Sequence, residues 1–70
     1  MDYTVVIEKA GDGSYSVYIP DLPGCVSCGD TMEEALEMIQ EAICAHLQLL
    51  KEGGETIPPP RSTAAVVHAA

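Results

Sequence analysis

Apolar and polar residues alternate along Tyr3–Glu8. The pattern puts Tyr3, Val5 and Ile7 on one face of a segment rich in β-branched and aromatic side chains. The alternation returns over Ser14–Ile19, with Tyr15, Val17 and Ile19 on one side and Ser16 and Tyr18 on the other. Between the two runs, Asp12-Gly13 is a strong short-range hairpin signal. Residues 3–19 therefore predict an antiparallel hairpin with one buried face. Pro20 has no N–H to give a sheet ladder and ends the second strand. Pro20-Asp21-Leu22-Pro23-Gly24 reads as a turn, because two prolines restrict φ and Gly24 accepts φ > 0. Cys25–Gly29 fits a short third strand.

At Thr31 the apolar period changes to steps of three and four. Met32, Ala35, Leu36, Ile39, Ile43, Leu47 and Leu50 form one stripe of a helix, with Glu33, Glu37, Glu41, Gln48 and Lys51 mainly opposite. Thr31-Met32-Glu33-Glu34 fits a capping box, with the hydroxyl at the N-cap and a glutamate three residues on. Asp30, Glu33 and Glu34 add negative charge at the positive end of the helix dipole. The pattern ends the helix near Lys51–Glu52, with Gly53 as the cap residue at φ > 0. About 19 residues at 1.5 Å each span roughly 28 Å, longer than a hairpin and one strand can cover.

Beyond the helix, Pro58-Pro59-Pro60 is stiff and extended. Thr63–Ala70 admits a fourth strand around Val66-Val67, a short alanine-rich helix, or a tail that orders on binding; the strand is the preferred reading. The expected architecture is α+β: a three- to four-stranded antiparallel sheet with one long helix packed on one face, in the order β-β-β-α-β. Residues 1–60 form one domain, and residues 61–70 a C-terminal tail holding the candidate fourth strand.

Composition sharpens this picture. The chain has 70 residues, three Tyr, no Phe and no Trp, so its aliphatic core is thin, and self-association is the expected remedy. Three Lys/Arg against eleven Asp/Glu give a formal net charge of −8. Phosphate neutralisation needs clustered cations, so direct nucleic-acid binding is not expected. An anionic membrane surface repels such a chain, and no apolar run approaches a membrane span. A basic protein partner suits it. Met1-Asp2-Tyr3 lacks the basic and apolar regions of a signal peptide, so a cytoplasmic location with reduced thiols is expected.

Cys25-x-x-Cys28 has the spacing of a redox dithiol or half a zinc site, and Cys44, His46 and His68 are further ligand types. Residues three apart in a strand face opposite ways, however, and Cys44 and His46, two apart on a helix, do not share a face. These cysteines read as ordinary small residues; neither a metal site nor a cofactor is expected. His46 lies beside the apolar stripe, at the helix flank.

The order of these segments resembles the N-terminal domain of HicB-type antitoxins. The resemblance is carried by Tyr15-Ser16-Val17, Pro20-Asp21-Leu22-Pro23-Gly24-Cys25, Gly29-Asp30-Thr31-Met32-Glu33-Glu34-Ala35 and Glu55-Thr56-Ile57-Pro58-Pro59-Pro60, across residues 3–60. It implies a partial ribonuclease-H-like fold, assembly as dimers or tetramers, and action against a small basic ribonuclease of the HicA type. It also gives Pro20, Pro23, Gly24, Cys25, Gly29, Asp30, Thr31 and Glu34 the role of structural motif residues. Many relatives add a DNA-binding module. This sequence reaches Ala70 with only Arg61 as a cation beyond Lys51, so direct operator binding is not expected.

A ribonuclease-H-like fold raises the question of nuclease chemistry, which needs carboxylates converging on divalent metal. Glu8, Asp21 and Asp30 fall on a strand end, a turn and a helix start, so no enzyme is expected. Glu33, Glu37 and Glu41 share a helix face; they read either as a solvated surface or as a landing surface for the toxin. Asp21, Leu22, Glu33, Glu37 and Glu41 are the expected partner-binding set. The alternative is a solitary homo-oligomeric structural or regulatory protein of the same fold, without a toxin.

Overall fold

Three short strands and one helix form the chain, described over residues 1–70 by a computed structural model: β1 (Val6–Lys9), β2 (Tyr15–Tyr18), β3 (Val26–Gly29) and α1 (Met32–Glu52). The strands make an antiparallel sheet in the order β1-β2-β3. Ile7 pairs with Val17 and Val17 with Ser27, while Val6, Tyr18 and Val26 pair in a row across the sheet. The alternation read from the sequence holds. Val17 and Ile19 are buried against the helix, with Tyr3, Val5, Ile7 and Tyr15 packed around them.

The first hairpin closes on a three-residue loop. Gly13 N–H donates to the Ala10 carbonyl at 3.0 Å, and Ala10 N–H to that of Ser14 at 2.8 Å. Gly13 supplies the left-handed residue such a loop needs, at φ +90°. Asp12 Oδ1 accepts from both the backbone N–H and the hydroxyl of Ser14, and this holds its carboxyl below the usual range.

The helix starts as its cap residues dictate. Thr31 stands at the N-cap in extended conformation, and its hydroxyl oxygen accepts the Glu34 N–H at 3.1 Å. Asp30 precedes the cap and is exposed. The C-terminal end differs by one residue from expectation. Gly53 stays right-handed at φ −77°, and the positive φ falls on Gly54 at +71°. Gly54 N–H donates to the Lys51 carbonyl and Glu55 N–H to that of Leu50, the pair of bonds of a Schellman motif. With two glycines in succession, the second is the one free to reverse the chain, since the helix continues to Glu52.

The core is small: Val17, Ile19, Leu22, Cys25, Ala35 and Ile39. Ala42, Ile43 and Leu47 extend it as partly buried neighbours. The 21-residue helix outruns the sheet, as its length predicts, and Met32, Leu36, Met38 and Leu49 stay exposed.

The expected fourth strand is absent. Residues 53–70 form no strand. Pro58-Pro59-Pro60 offers no N–H groups, and the next two, of Arg61 and Ser62, both donate to one oxygen of Asp21. Successive amides of a strand point opposite ways, so this capture bends the chain out of ladder geometry. Beyond Ser62 no residue is covered, and Val66 and Val67 are exposed.

Candidate functional site

The loop from Ile19 to Cys25 assigns a separate task to each residue. Leu22 N–H donates to the Ile19 carbonyl and Cys25 N–H to that of Leu22, so two turns follow one another. Pro20 and Pro23 each occupy the second position of a turn, where their fixed φ fits. Gly24, third in the second turn, lies at φ +86°, as a type II turn requires. Ile19 N–H donates to the Cys25 carbonyl and closes the loop. Leu22, between the turns, is driven fully into the core.

This burial corrects one member of the expected partner-binding set. Leu22 is 0% exposed and offers no surface, because the paired turns point its side chain inward while the prolines remain outside. Asp21 likewise has an internal task. Its Oδ2 accepts the N–H groups of Arg61 at 2.9 Å and Ser62 at 2.8 Å, and its Oδ1 accepts the Ser62 hydroxyl at 2.9 Å. Thr4 Oγ1 donates to the Ser62 carbonyl at 2.7 Å, and the Tyr3 hydroxyl to that of Pro58. Residues 58–62 are thereby strapped across Tyr3 and Thr4, just ahead of β1, and across the proline turn. Sequence reasoning missed this strap, because nothing local ties residue 21 to residues 61 and 62.

The bonds from Ser62 and Arg61 hold the Asp21 carboxyl below its ordinary value of 3.8. A carboxylate acidified by folding stabilises the folded form above its unfolded value, and the contribution is lost as pH falls through the lower, folded one. The strap is therefore expected to hold through the ordinary carboxylate range and to release only as pH falls through the lower value of the folded form. An acid titration of the Arg61 and Ser62 amide resonances reads this directly, and Asp21→Ala should give both amides unprotected exchange at neutral pH. Chemical shifts unchanged down to pH 2 would contradict the assignment.

Glu33, Glu37 and Glu41 all lie exposed on the helix, opposite Ala35 and Ile39. At about 100° per residue, Met38 falls beside Glu34 and Glu41 on the same side. Met38 is 46% exposed and lies outside the apolar stripe read from the sequence. The helix thus presents a row of carboxylates bordered by one flexible apolar side chain, a combination suited to a basic surface with an apolar contact.

The sulfur and imidazole groups do not gather. Cys25 is buried, and burial pushes its thiol above the usual value; Cys28 and Cys44 are exposed. No group of three or more His, Cys, Asp or Glu side chains adopts an arrangement able to hold a metal ion. Two shallow surface depressions exist. One lies between the end of the helix and Ile57, the other between the proline turn and Pro58, Pro59 and Arg61. No helix is long and apolar enough to cross a membrane.

These features define a small α+β domain with an exposed acidic helix face and two shallow surface depressions. Residues 3–70 match the model of the HicB-like antitoxin family of bacterial toxin–antitoxin systems. The chain is 48% identical over 69 residues to the UPF0150 protein Ta0767 of Thermoplasma acidophilum, covering 99% of this chain and 100% of that one. It is 42% identical over 60 residues to antitoxin HicB 1 of Photorhabdus laumondii, covering 86% of this chain and 39% of the relative. The fold superposes on the N-terminal domain of the Burkholderia pseudomallei antitoxin HicB with a TM-score of 0.80 at 35% identity, covering 90% of this chain and 74% of that one. A chain of the HicA3 and HicB3 toxin–antitoxin complex superposes with a TM-score of 0.71 at 31% identity, covering 86% of this chain and 70% of that one. This chain belongs to the HicB-like antitoxin family. It spans less than half the length of the Photorhabdus antitoxin it matches.

Proposed function

We propose that this chain neutralises a small basic ribonuclease of the HicA type by binding it and covering its RNA-binding face, without catalysis of its own. The acidic row Glu33, Glu37 and Glu41, with Met38 at its border, carries this reading. It is a charge surface complementary to a protein that must itself attract RNA. The similarity to a chain of the HicA3 and HicB3 complex supports it. The protein would work in the cytoplasm as a homo-oligomer, a dimer or tetramer, with no nucleic acid bound directly.

Electrostatic pairing of this kind speeds association and weakens with salt. Combined Glu33→Lys, Glu37→Lys and Glu41→Lys replacement is expected to weaken toxin binding at least tenfold, mainly through the association rate, and to leave the circular dichroism of the domain unchanged. Surface plasmon resonance against a purified small basic ribonuclease of the HicA type, with ribonuclease activity measured in parallel, tests this. A toxin that is neither bound nor inhibited would favour the solitary scaffold instead.

A further inference from the structure

We propose that Met38, Ala42, Ala45 and Leu49 form a coiled-coil seam that receives a basic amphipathic helix of another protein. The inference goes beyond the toxin reading above: it concerns the apolar line beside the acidic row, and it names the shape of what lies there. The four residues follow one another at steps of four, three and four, the spacing of core positions in a heptad repeat. At about 100° per residue they fall within about 60° of one another around α1. This is a second apolar line, set beside the stripe that meets the sheet through Ala35 and Ile39. Met38 is 46% exposed and Leu49 68%, while Ala45 is exposed and Ala42 half-buried.

The chain's own return leaves this line open. After Gly54 the backbone comes back along the opposite flank of the helix, where Ile57 borders a shallow depression with Cys44, Leu47 and Lys51. Residues 55–70 form no helix or strand that could lie across α1. The line runs about 16 Å, three helical turns. Its two central alanines let a partner's backbone come close and leave room for large side chains, and Met38 and Leu49 close the two ends. Helices interlock in this way when side chains of one fill the gaps of the other.

Charge decides the occupant. The positions just before Ala42 and Leu49 hold Glu41 and Gln48, and one heptad before Glu41 stands Glu34; all three are exposed. These are flanking positions of the repeat, where charge selects the partner. The helix as a whole holds five glutamates and one lysine. A second copy would bring the same acidic edge to the seam and meet like charge. A helix with Lys or Arg at its own flanking positions meets Glu34 and Glu41 with opposite charge. The other flank, with Ile39 buried and His46 half-buried, turns toward the sheet, so the pairing of charges is one-sided.

Fluorescence anisotropy of the full chain with two labelled synthetic peptides tests this. Both peptides are three-heptad helices with leucine at the core positions; one carries lysine at the flanks, the other glutamate. The basic peptide is expected to bind at least tenfold more tightly than the acidic one. Ala45→Gln with Leu49→Gln alters no charge and replaces exposed residues only, so it should weaken the basic peptide at least tenfold with unchanged circular dichroism. In a nuclear magnetic resonance titration the shifts should gather at Met38, Ala45 and Leu49 and spare Val6, Val26 and Ile57. Equal binding of the two peptides overturns the proposal, as does binding indifferent to the double variant, or shifts centred on the sheet. A double variant that lowers the mass of a self-associated chain overturns it as well, since the occupant is then a second copy. The toxin reading stands or falls separately, on the Glu33, Glu37 and Glu41 replacements.

Discussion

Leu22→Ala is expected to remove about 2–5 kcal/mol, most of the folding free energy of this domain. Leu22 is fully buried in a core of six residues, and it is among the largest side chains there. A single core in a chain under about 70–80 residues rarely supplies more than ~3–5 kcal/mol in all. Truncation leaves a cavity where the Ile19–Cys25 loop meets the helix. The loop cannot collapse into it, since its two prolines and three backbone hydrogen bonds hold its shape. Thermal unfolding followed by circular dichroism should fall by at least about 10 °C, at the ~4–8 °C per kcal/mol of a domain this size. Leu22→Met, close in volume, should cost less than about 1.5 kcal/mol. An unchanged midpoint for the alanine variant would show that the loop does not plug the core.

The second large effect is expected at Gly29, the last residue of β3. A Cβ there would stand 2.6 Å from the Ala35 nitrogen and 3.0 Å from its Cα. Both are backbone atoms of the first helical turn, so no side chain can rotate away, and the helix itself must shift. Gly29→Ala is expected to cost about 1–3 kcal/mol, as overpacking does, and Gly29→Val more. Gly11 provides the control: a Cβ there meets nothing within 4 Å, and Gly11→Ala should be nearly neutral. Equal unfolding midpoints for the two variants would refute the close approach. The contact also explains the spacing of Gly29-Asp30-Thr31-Met32-Glu33-Glu34-Ala35. A strand end without a side chain, a capping hydroxyl and a small helical residue let the helix turn back directly onto the strand it follows.

Most of the sheet and the helix start were legible in the sequence because they rest on local chemistry. The two-residue alternation of Tyr15, Val17 and Ile19 needs only the pleat, and Thr31 needs only the amides of the next turn. The glycine that caps the helix end was misplaced by one residue, Gly54 rather than Gly53, because adjacent glycines are conformationally equivalent until the helix length is settled by packing. The task of Asp21 lay out of reach for a different reason. Its partners are 40 and 41 residues away, and a turn aspartate has local hydrogen-bonding options that look equally good on paper. The burial of Leu22 is not legible in the sequence because it lies in a turn between two prolines, where no periodicity reports which way a side chain points.

By itself, then, the sequence determined the order of the three strands and the helix, the buried face of the first two strands, the helix start and its cap, the family resemblance and the acidic balance. Tertiary structure alone decided that Leu22 plugs the core, that Asp21 fastens residues 61 and 62, and that residues 63–70 find no strand partner within one chain. Those outcomes depend on which distant groups meet once the helix has packed on the sheet. In so small a core, a single inward leucine or one distant carboxylate carries weight that no local pattern records.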